Sequence, residues 1–304
     1  MLDAVIFRVV AVSLAGMPSA RKAATAGLLL LALAATPALA QLTDDEPGAG
    51  VFAARQIPAA QQPKPKPKPQ PHPQPRLVPK AAPRNLPIVN YWDEPQGFQP
   101  DKTPRSTIPV RDGLHPERRL AVYDAPGGVP RAFLDPTISG LPVTVPIVER
   151  RQGWAAVLLP SVNRRVGWLP PHGWKPRTLP DQLIVDLSER RLTWRRGGRE
   201  HGAWTVAVGS SRTPTPLGRT FVMGRTITHG HAYAGLDAIV LGAVPDDRDA
   251  LSASLRNGHT AIHAWRDESA FGRSVSNGCV RMPPKVQRTL LGHIGPGTVV
   301  HVVE

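Results

Sequence analysis

The chain has 304 residues, a formal net charge of +14 and a pI near 10.9. Its hydrophobic fraction of 41% is enough for a packed core, but its 35 prolines exclude one compact fold over the whole length. The positive charge is typical of proteins that bind nucleic acid, anionic lipid or an acidic wall polymer, and the compartment decides between these partners.

The N-terminus predicts an exported protein. Arg21 and Lys22 precede an apolar run at residues 23–35, and small residues stand at positions 38 and 40. This pattern is typical of a secretory signal with an A-x-A cleavage site, so we predict a signal peptide over residues 1–40. The run is shorter than the ~20 residues of a spanning helix, so we expect no stable membrane span after cleavage. An uncleaved anchor is the alternative.

Export sets the expected location and partners. We expect the protein in the cell wall, the periplasm or the extracellular space, as a monomer. Export disfavours nucleic acid as a partner and leaves anionic wall polymers as a candidate for the positive charge. Simple solubility is the alternative explanation of that charge.

Residues 41–112 are predicted to be a proline-rich disordered linker. Residues 63–75 read PKPKPKPQPHPQP, and alternating proline forces an extended backbone that is unsuited to helix and sheet. Such a segment is either a spacer that crosses a wall layer or a passive linker.

Residues 113–176 are predicted to form a small β-barrel. The short β-type runs LAVYDAP, VTVPIVERR, WAAVLLP and RVGWLP are separated by Gly and Pro, and Trp154, Trp168 and Trp174 would fill the core. The segments GWAAVLLP and RRVGWLP resemble the last strands of bacterial SH3-like domains. This resemblance implies a module that binds wall peptides or packs on an enzyme.

Residues 181–304 are predicted to form a second, mainly β unit. Strand patterns occur at 183–188, 191–196 and 203–209, the chain ends on the strand TVVHVVE, and residues 283–294 read as a short helix with proline in its first turn. We therefore predict a mainly β fold with one or two short helices.

The single cysteine of the chain, Cys279, lies in the small, polar stretch FGRSVSNGCVRMPP. An exported thiol without a partner in its own chain is an inert buried group, an intermolecular bridge or a nucleophile. His263 lies on a predicted strand, with Ile262 pointing to the core and His263 to the opposite face. His263 could then take the thiol proton, leave a thiolate–imidazolium pair and later protonate a leaving amine.

The residues around the thiol suit acyl transfer. Gly278 permits positive φ and close approach of the backbone, whose N–H groups could hold an oxyanion. Ser276 can hydrogen-bond the nearby backbone, Arg281 suits forked binding of a carboxylate, and Asn277 is a further candidate contact to substrate.

Histidines elsewhere raise a metal alternative. The spacings of His229, His231, His259 and His263 are H-x-H and H-x₃-H, which makes a zinc site physically possible. No H-E-x-x-H motif accompanies them, so we predict no metal and no cofactor. We instead expect His231 and Tyr233 to line the cleft.

The combination TPTPLG, AIHAW and FGRSVSNGCVRM resembles the L,D-transpeptidase, or YkuD-type, catalytic domain over residues 181–304. The resemblance implies a β-sandwich or cradle in which Cys279 is the acyl-accepting nucleophile and His263 its base. It also implies that Gly278 and its neighbours shape the oxyanion pocket and that Arg281 lies in the cleft.

The reaction implied by the resemblance acts on peptidoglycan stem peptides. The thiolate attacks the carbonyl at the L-centre of a diamino acid, and the terminal D-residue leaves. An amine of a second stem, or water, then resolves the thioester, which serves cell-wall organisation and cell shape. Trp265 departs from the usual I-H-G-T pattern and is expected to narrow the cleft, and Asn277 stands where many members carry histidine. The alternatives are a zinc-dependent wall peptidase and a non-catalytic wall-binding protein.

Overall fold

A computed structural model describes residues 77–244, 246–252, 256 and 258–304. The predicted signal peptide and the first part of the predicted linker, up to residue 76, lie outside the described residues. Within the part that is described, no helix is long and apolar enough to cross a membrane.

Residues 99–178 build a barrel-like sheet. The strands of this part are β1 (Gln99–Pro100), β2 (Asp112–Pro116), β3 (Leu120–Tyr123), β4 (Pro130–Leu134), β5 (Thr137–Ile138), β6 (Leu141–Pro142), β7 (Val145–Arg151), β8 (Trp154–Leu158), β9 (Arg165–Leu169) and β10 (Trp174–Thr178). The strand order of the sheet is β10-β2-β7-β8-β9-β3-β4, with β1 added beside β9. The central strand β8 is buried along its whole length because its residues, WAAVL, are all apolar. A separate hairpin pairs β5 with β6.

The three tryptophans that the sequence predicts in the barrel core lie in or against that core. Trp154 and Trp168 are buried, and the ring of Trp154 meets Tyr123 edge to face at 5.0 Å between centroids. Trp174 is half-buried and packs against the larger core cluster. The barrel expected from the sequence is present, while its kinship to SH3-like domains stays a prediction.

Residues 77–112 differ from the disordered linker that the sequence predicts. Val89, Tyr91 and Phe98 are buried in the same core cluster as the barrel, and residues 99–100 form strand β1. The described end of the proline-rich region is therefore packed structure. The physical reason is that its few large apolar side chains find a core contributed by residues far along the chain.

Residues 181–303 build the second sheet. The elements of this part are β11 (Asp181–Asp186), β12 (Arg191–Arg196), β13 (Arg199–Thr205), β14 (Val208–Gly209), β15 (Gly218–Thr226), β16 (Ala238–Leu241), β17 (Ala261–Ala264), β18 (Ser274–Ser276), β19 (Val280–Met282), helix α1 (Pro284–Leu291) and β20 (Val299–Val303). The strand order of the sheet is β13-β12-β11-β20-β15-β16-β17-β19. A separate two-stranded ladder pairs β14 with β18 in parallel.

Helix α1 is short and is fixed at both ends. Pro284 occupies its first turn, where a missing N–H costs nothing. At its end the guanidinium of Arg225 donates to the carbonyl oxygens of Leu291 and Ile294. Val286 and Leu290 point into the core of the second sheet. The predicted fold class, mainly β with one or two short helices, is confirmed, with one α-helix in the described part.

A buried ion pair ties the N-terminal segment to the second sheet. Arg219 of β15 donates to both carboxylate oxygens of Asp101, at 2.8 and 2.7 Å. The side chains are 6% and 8% exposed, so each buried charge needs the other to offset its loss of hydration. Gln182 strengthens the attachment by donating to the carbonyl oxygen of Thr107 at 2.7 Å.

We expect the Asp101→Asn change to lower the free energy of unfolding by about 3–5 kcal/mol, because it leaves Arg219 buried without its counter-charge. Denaturant unfolding of the purified protein measures this. The matched control is Glu304→Gln, which removes one partner of an exposed pair with Arg105 at 3.9 Å and should change little. Equal effects of the two changes would contradict the structural role of the buried pair.

Candidate active site

The site is built where two neighbouring strands run in parallel. Strand β17 pairs with β19 in the register Ile262 with Val280 and His263 with Arg281. Since alternate residues of a strand share a face, His263, Arg281 and the residue just before β19, Cys279, lie on one face. Ile262 and Val280 point to the other face and are fully buried in the core. The register thus brings the thiol one diagonal step from the imidazole.

Cys279 follows a tight turn that Ser276 organises. The Ser276 hydroxyl donates to the Cys279 carbonyl oxygen at 2.5 Å and accepts from the Gly278 N–H at 3.2 Å. Gly278 has φ of +102°, a conformation that side chains beyond glycine rarely adopt. Its N–H is therefore engaged within the turn, which leaves the N–H of Cys279 as the candidate oxyanion donor.

The TPTPLG loop and the residues just before it hydrogen-bond to the backbone of this turn. Ser210 N–H donates to the Ser276 carbonyl oxygen at 3.0 Å, and the Thr213 hydroxyl donates to the same oxygen at 3.1 Å. Thr215 accepts from the Gly209 N–H at 2.9 Å, and a Cβ at Gly209 would meet Thr215 N at 2.3 Å. The loop therefore fixes the backbone that precedes the nucleophile. The TPTPLG motif is visible in the sequence, but no local pattern in it indicates this contact.

His263 is held in one tautomer. Its Nδ1 lies 2.9 Å from the Ala264 carbonyl oxygen, which can only accept, so Nδ1 carries the proton. The other ring nitrogen, Nε2, is then unprotonated in the neutral ring. His263 can therefore act as a base through Nε2.

An aromatic group covers His263. The Tyr233 ring lies 4.9 Å from the imidazole and 5.7 Å from the Trp265 ring, between centroids. Tyr233 belongs to a short 3₁₀ turn, His231–Tyr233, which Arg266 fixes by donating from Nε to the His231 carbonyl oxygen at 2.9 Å. His263 is buried beneath these rings, so the polar face that sequence reasoning expected to be open is covered here.

Arg281 completes the cluster. Its guanidinium lies over the Trp265 ring at 3.9 Å from the centroid, a close cation–π contact. Its Nε is buried and has no hydrogen-bond partner among the described residues. Burial lowers the pKa of Arg281, while Cys279, Tyr233 and Asp267 oppose that shift.

Burial favours the uncharged form of both reactive groups. It raises the pKa of the half-buried Cys279 above its ordinary value of 9.0, although the Ala261 backbone and the Arg281 charge oppose the change. Burial also lowers the pKa of His263 to about 4, against the backbone contact with Ala264. Both shifts favour a thiol and a neutral imidazole at neutral pH over the thiolate–imidazolium pair considered from the sequence.

The other residues predicted from the sequence are exposed or contact groups outside this cluster. Asn277 is exposed in the turn before Cys279. His231 is exposed, and its carbonyl oxygen accepts a hydrogen bond from Arg266 Nε. His259 lies elsewhere, with its ring against Trp92 at 4.7 Å between centroids. Within the described ranges, no three His, Cys, Asp or Glu side chains are grouped to hold a metal ion.

Comparison with known proteins agrees with the motif. Residues 180–302 match the family model of YkuD, the L,D-transpeptidase catalytic domain. This part of the chain therefore matches the sequence pattern of the YkuD L,D-transpeptidase catalytic domain. The protein is an L,D-transpeptidase enzyme, as the sequence predicted.

Individual relatives are distant. The chain is 27% identical over 127 residues to a protein of Bacillus subtilis that is named as an L,D-transpeptidase YkuD. The matched region covers 42% of this chain and 68% of that protein. A Bacillus licheniformis protein of the same name is 28% identical over the same coverage. An L,D-transpeptidase from Mycobacterium smegmatis superposes with a TM-score of 0.33 and 12% identity, over 47% of this chain and 74% of that one.

Proposed function

We propose that the protein is an exported peptidoglycan L,D-transpeptidase in which Cys279 is the nucleophile and His263 the general base. The observation that carries the proposal is the β17–β19 register, which sets Cys279, His263 and Arg281 on one face. The fixed tautomer of His263 adds to it, because the free nitrogen is the one that can accept a proton.

Acylation begins from the neutral pair. The His263 Nε2 takes the proton from the Cys279 sulfur as the sulfur attacks the carbonyl at the L-centre of the donor stem. The negative charge moves to the carbonyl oxygen, where the Cys279 N–H is the proposed donor and Gly278 supplies the backbone turn. Collapse of this intermediate breaks the amide, and the imidazolium protonates the departing amine of the D-residue. A thioester on Cys279 remains.

Deacylation reverses the roles. His263 takes a proton from the amine of an acceptor stem, which attacks the thioester carbonyl and expels the sulfur. The sulfur is reprotonated and an L,D cross-link results. Water in place of the amine gives L,D-carboxypeptidase activity. We propose that Asn277, His231, Tyr233 and Trp265 contact the substrate at the edges of this site.

The remaining parts serve delivery. We propose that the signal peptide over residues 1–40 exports the chain and that the barrel is an SH3-like module. The positive charge would attract anionic wall polymers, and no cofactor enters the reaction. The barrel packs on the catalytic sheet, since Phe221, Met223 and Val240 share its core cluster.

The neutral resting state predicts an unusual pH dependence of thiol reactivity. We expect alkylation of Cys279 by iodoacetamide to be slow at pH 7 and to keep rising through pH 9, because burial holds the thiol pKa above its ordinary value. Stopped-time mass spectrometry measures the rate on this thiol alone, since the chain has one cysteine. A rate plateau that begins below pH 7 would show a stable thiolate–imidazolium pair and contradict this reading.

Defined stems test the function itself. Tetrapeptide stems incubated with the protein should lose the terminal D-residue and, when an acceptor amine is present, form cross-linked dimers that mass spectrometry detects. A chelator should leave the rate unchanged. Loss of activity with the chelator, or no turnover of stems by folded protein, would refute the proposed function.

A further inference from the structure

Arg281 and Trp265 form a close cation–π pair beside the nucleophile. Trp265 stands where the resemblance expects a small residue, and the guanidinium carbon of Arg281 lies over its ring at 3.9 Å from the centroid. The N–H donors of a guanidinium lie in the plane of the group, and a ring in contact with the central carbon limits where the group can move. The indole therefore restricts the positions from which Arg281 can donate.

The guanidinium of Arg281 keeps an unused hydrogen-bond donor among the described residues. Its Nε is buried without a hydrogen-bond partner among the described residues. The nearby carboxylate of Asp267 caps a 3₁₀ turn instead, accepting from the N–H and hydroxyl of Ser269 at 3.0 and 2.6 Å. Within the described part of the chain, no carboxylate lies within ion-pair distance of Arg281. A half-buried guanidinium without an ion-pair partner favours the binding of an anionic group of a ligand.

The anion would sit close to the reacting carbonyl. Arg281 and Cys279 are two residues apart on one face, about 6.6 Å along the strand. Consecutive residues of a bound peptide are ~3.8 Å apart. We propose that Arg281, held against the Trp265 ring, is a fixed anchor for a substrate carboxylate within one residue of the carbonyl that Cys279 attacks.

The chemistry recognised is a carboxylate, and a stem offers two sources of it. One is the terminal α-carboxylate of the departing D-residue, and the other is a side-chain carboxylate on the diamino acid. The assignment to a stem rests on the proposed function, but the anchor itself does not. Trp265 is the positioning residue, since it acts through Arg281.

Two nearly isosteric reagents test the anchor without any stem. Iodoacetate and iodoacetamide both form a C–S bond to Cys279 and release iodide, and they differ in one carboxylate. Both require the same thiolate, so the ratio of their rates cancels any change in thiol pKa. We expect Arg281→Gln to lower the iodoacetate-to-iodoacetamide ratio about tenfold, the scale of one charge-assisted hydrogen bond. Trp265→Leu should lower it by a smaller factor, and Trp265→Phe should restore most of the loss.

Arg273→Gln is the matched control, because it removes the same charge from an exposed position near the site. Its ratio should stay within about twofold of the starting protein, given how weak solvent-exposed charges are. An unchanged ratio in both Arg281→Gln and Trp265→Leu would overturn the anchor. An equal fall in Arg273→Gln would also overturn it, because the effect would then be general attraction.

Donor stems then separate the two carboxylate sources. If the terminal carboxylate is bound, a donor with a terminal amide should lose kcat/KM about tenfold with the starting protein and hardly at all with Arg281→Gln. If the side-chain carboxylate is bound, a donor in which hydrogen replaces that carboxylate should instead lose kcat/KM about tenfold with the starting protein and hardly at all with Arg281→Gln. Sensitivity to neither change, with active enzyme, would overturn the anchor. A shifted alkylation ratio with no stem turnover would instead refute the proposed function alone.

Discussion

Replacing Cys279 with Ala should reduce L,D-transpeptidase activity by on the order of 10⁴-fold or more, because acyl transfer has no covalent acceptor without the sulfur. The change removes one small, half-buried group, so the structure predicts little loss of stability. Product formation from defined stems, followed by mass spectrometry, measures the effect. Thermal unfolding of the same samples separates lost chemistry from lost folding.

The sulfur is the one group whose loss has no substitute within the chain, which contains no second cysteine. A Cys279→Ala protein that unfolds at the original temperature and still processes stems would contradict a nucleophilic role. A Cys279→Ser protein should be nearly as slow, because the neutral hydroxyl is a far poorer nucleophile than a thiolate formed during attack.

Replacing His263 with Gln should reduce kcat/KM by about 10²–10⁴-fold, the usual contribution of a positioned general base. The pH profile should change as well. Because the pKa of His263 is lowered to about 4, the neutral base persists down to about pH 5, and activity of the starting protein should fall only below that. In the variant the residual rate should instead rise with pH as the thiol ionises directly.

His259→Gln is the matched control for this change. His259 is also buried, with its pKa lowered to about 4 chiefly by burial, but it contacts Trp92 and not the nucleophile. It should affect stability while leaving the rate per folded molecule near that of the starting protein. A similar loss of rate in both variants would show that His263 acts through the fold and not as the base.

The sequence supports prediction of the catalytic fold and of the central pair because these follow local patterns. The alternation of residues in AIHA predicts a strand with His263 opposite Ile262, and both residues lie on β17 as expected. The positive φ of Gly278 likewise follows from its residue type. The TPTPLG motif was visible, but its contact with Ser276 crosses 63 positions and has no local signature.

Other features depend on contacts that the sequence does not express. Val89 and Tyr91 lie in a proline-rich region without periodicity, and only the distant core shows that they are buried. The closeness of Arg281 to Trp265 depends on a parallel strand register, and register is set by global packing. The cover that Tyr233 places over His263, and hence the neutral resting pair, is a tertiary effect of the same kind.

The most direct measurement is the intact mass of the protein after brief exposure to a tetrapeptide stem and acid quenching. A covalent species should appear whose added mass equals the donor minus its terminal D-residue, and peptide mapping should place it on Cys279 as a thioester that hydroxylamine cleaves. Turnover of stems with no such species on Cys279, even when the acceptor is withheld, would contradict covalent catalysis by this thiol.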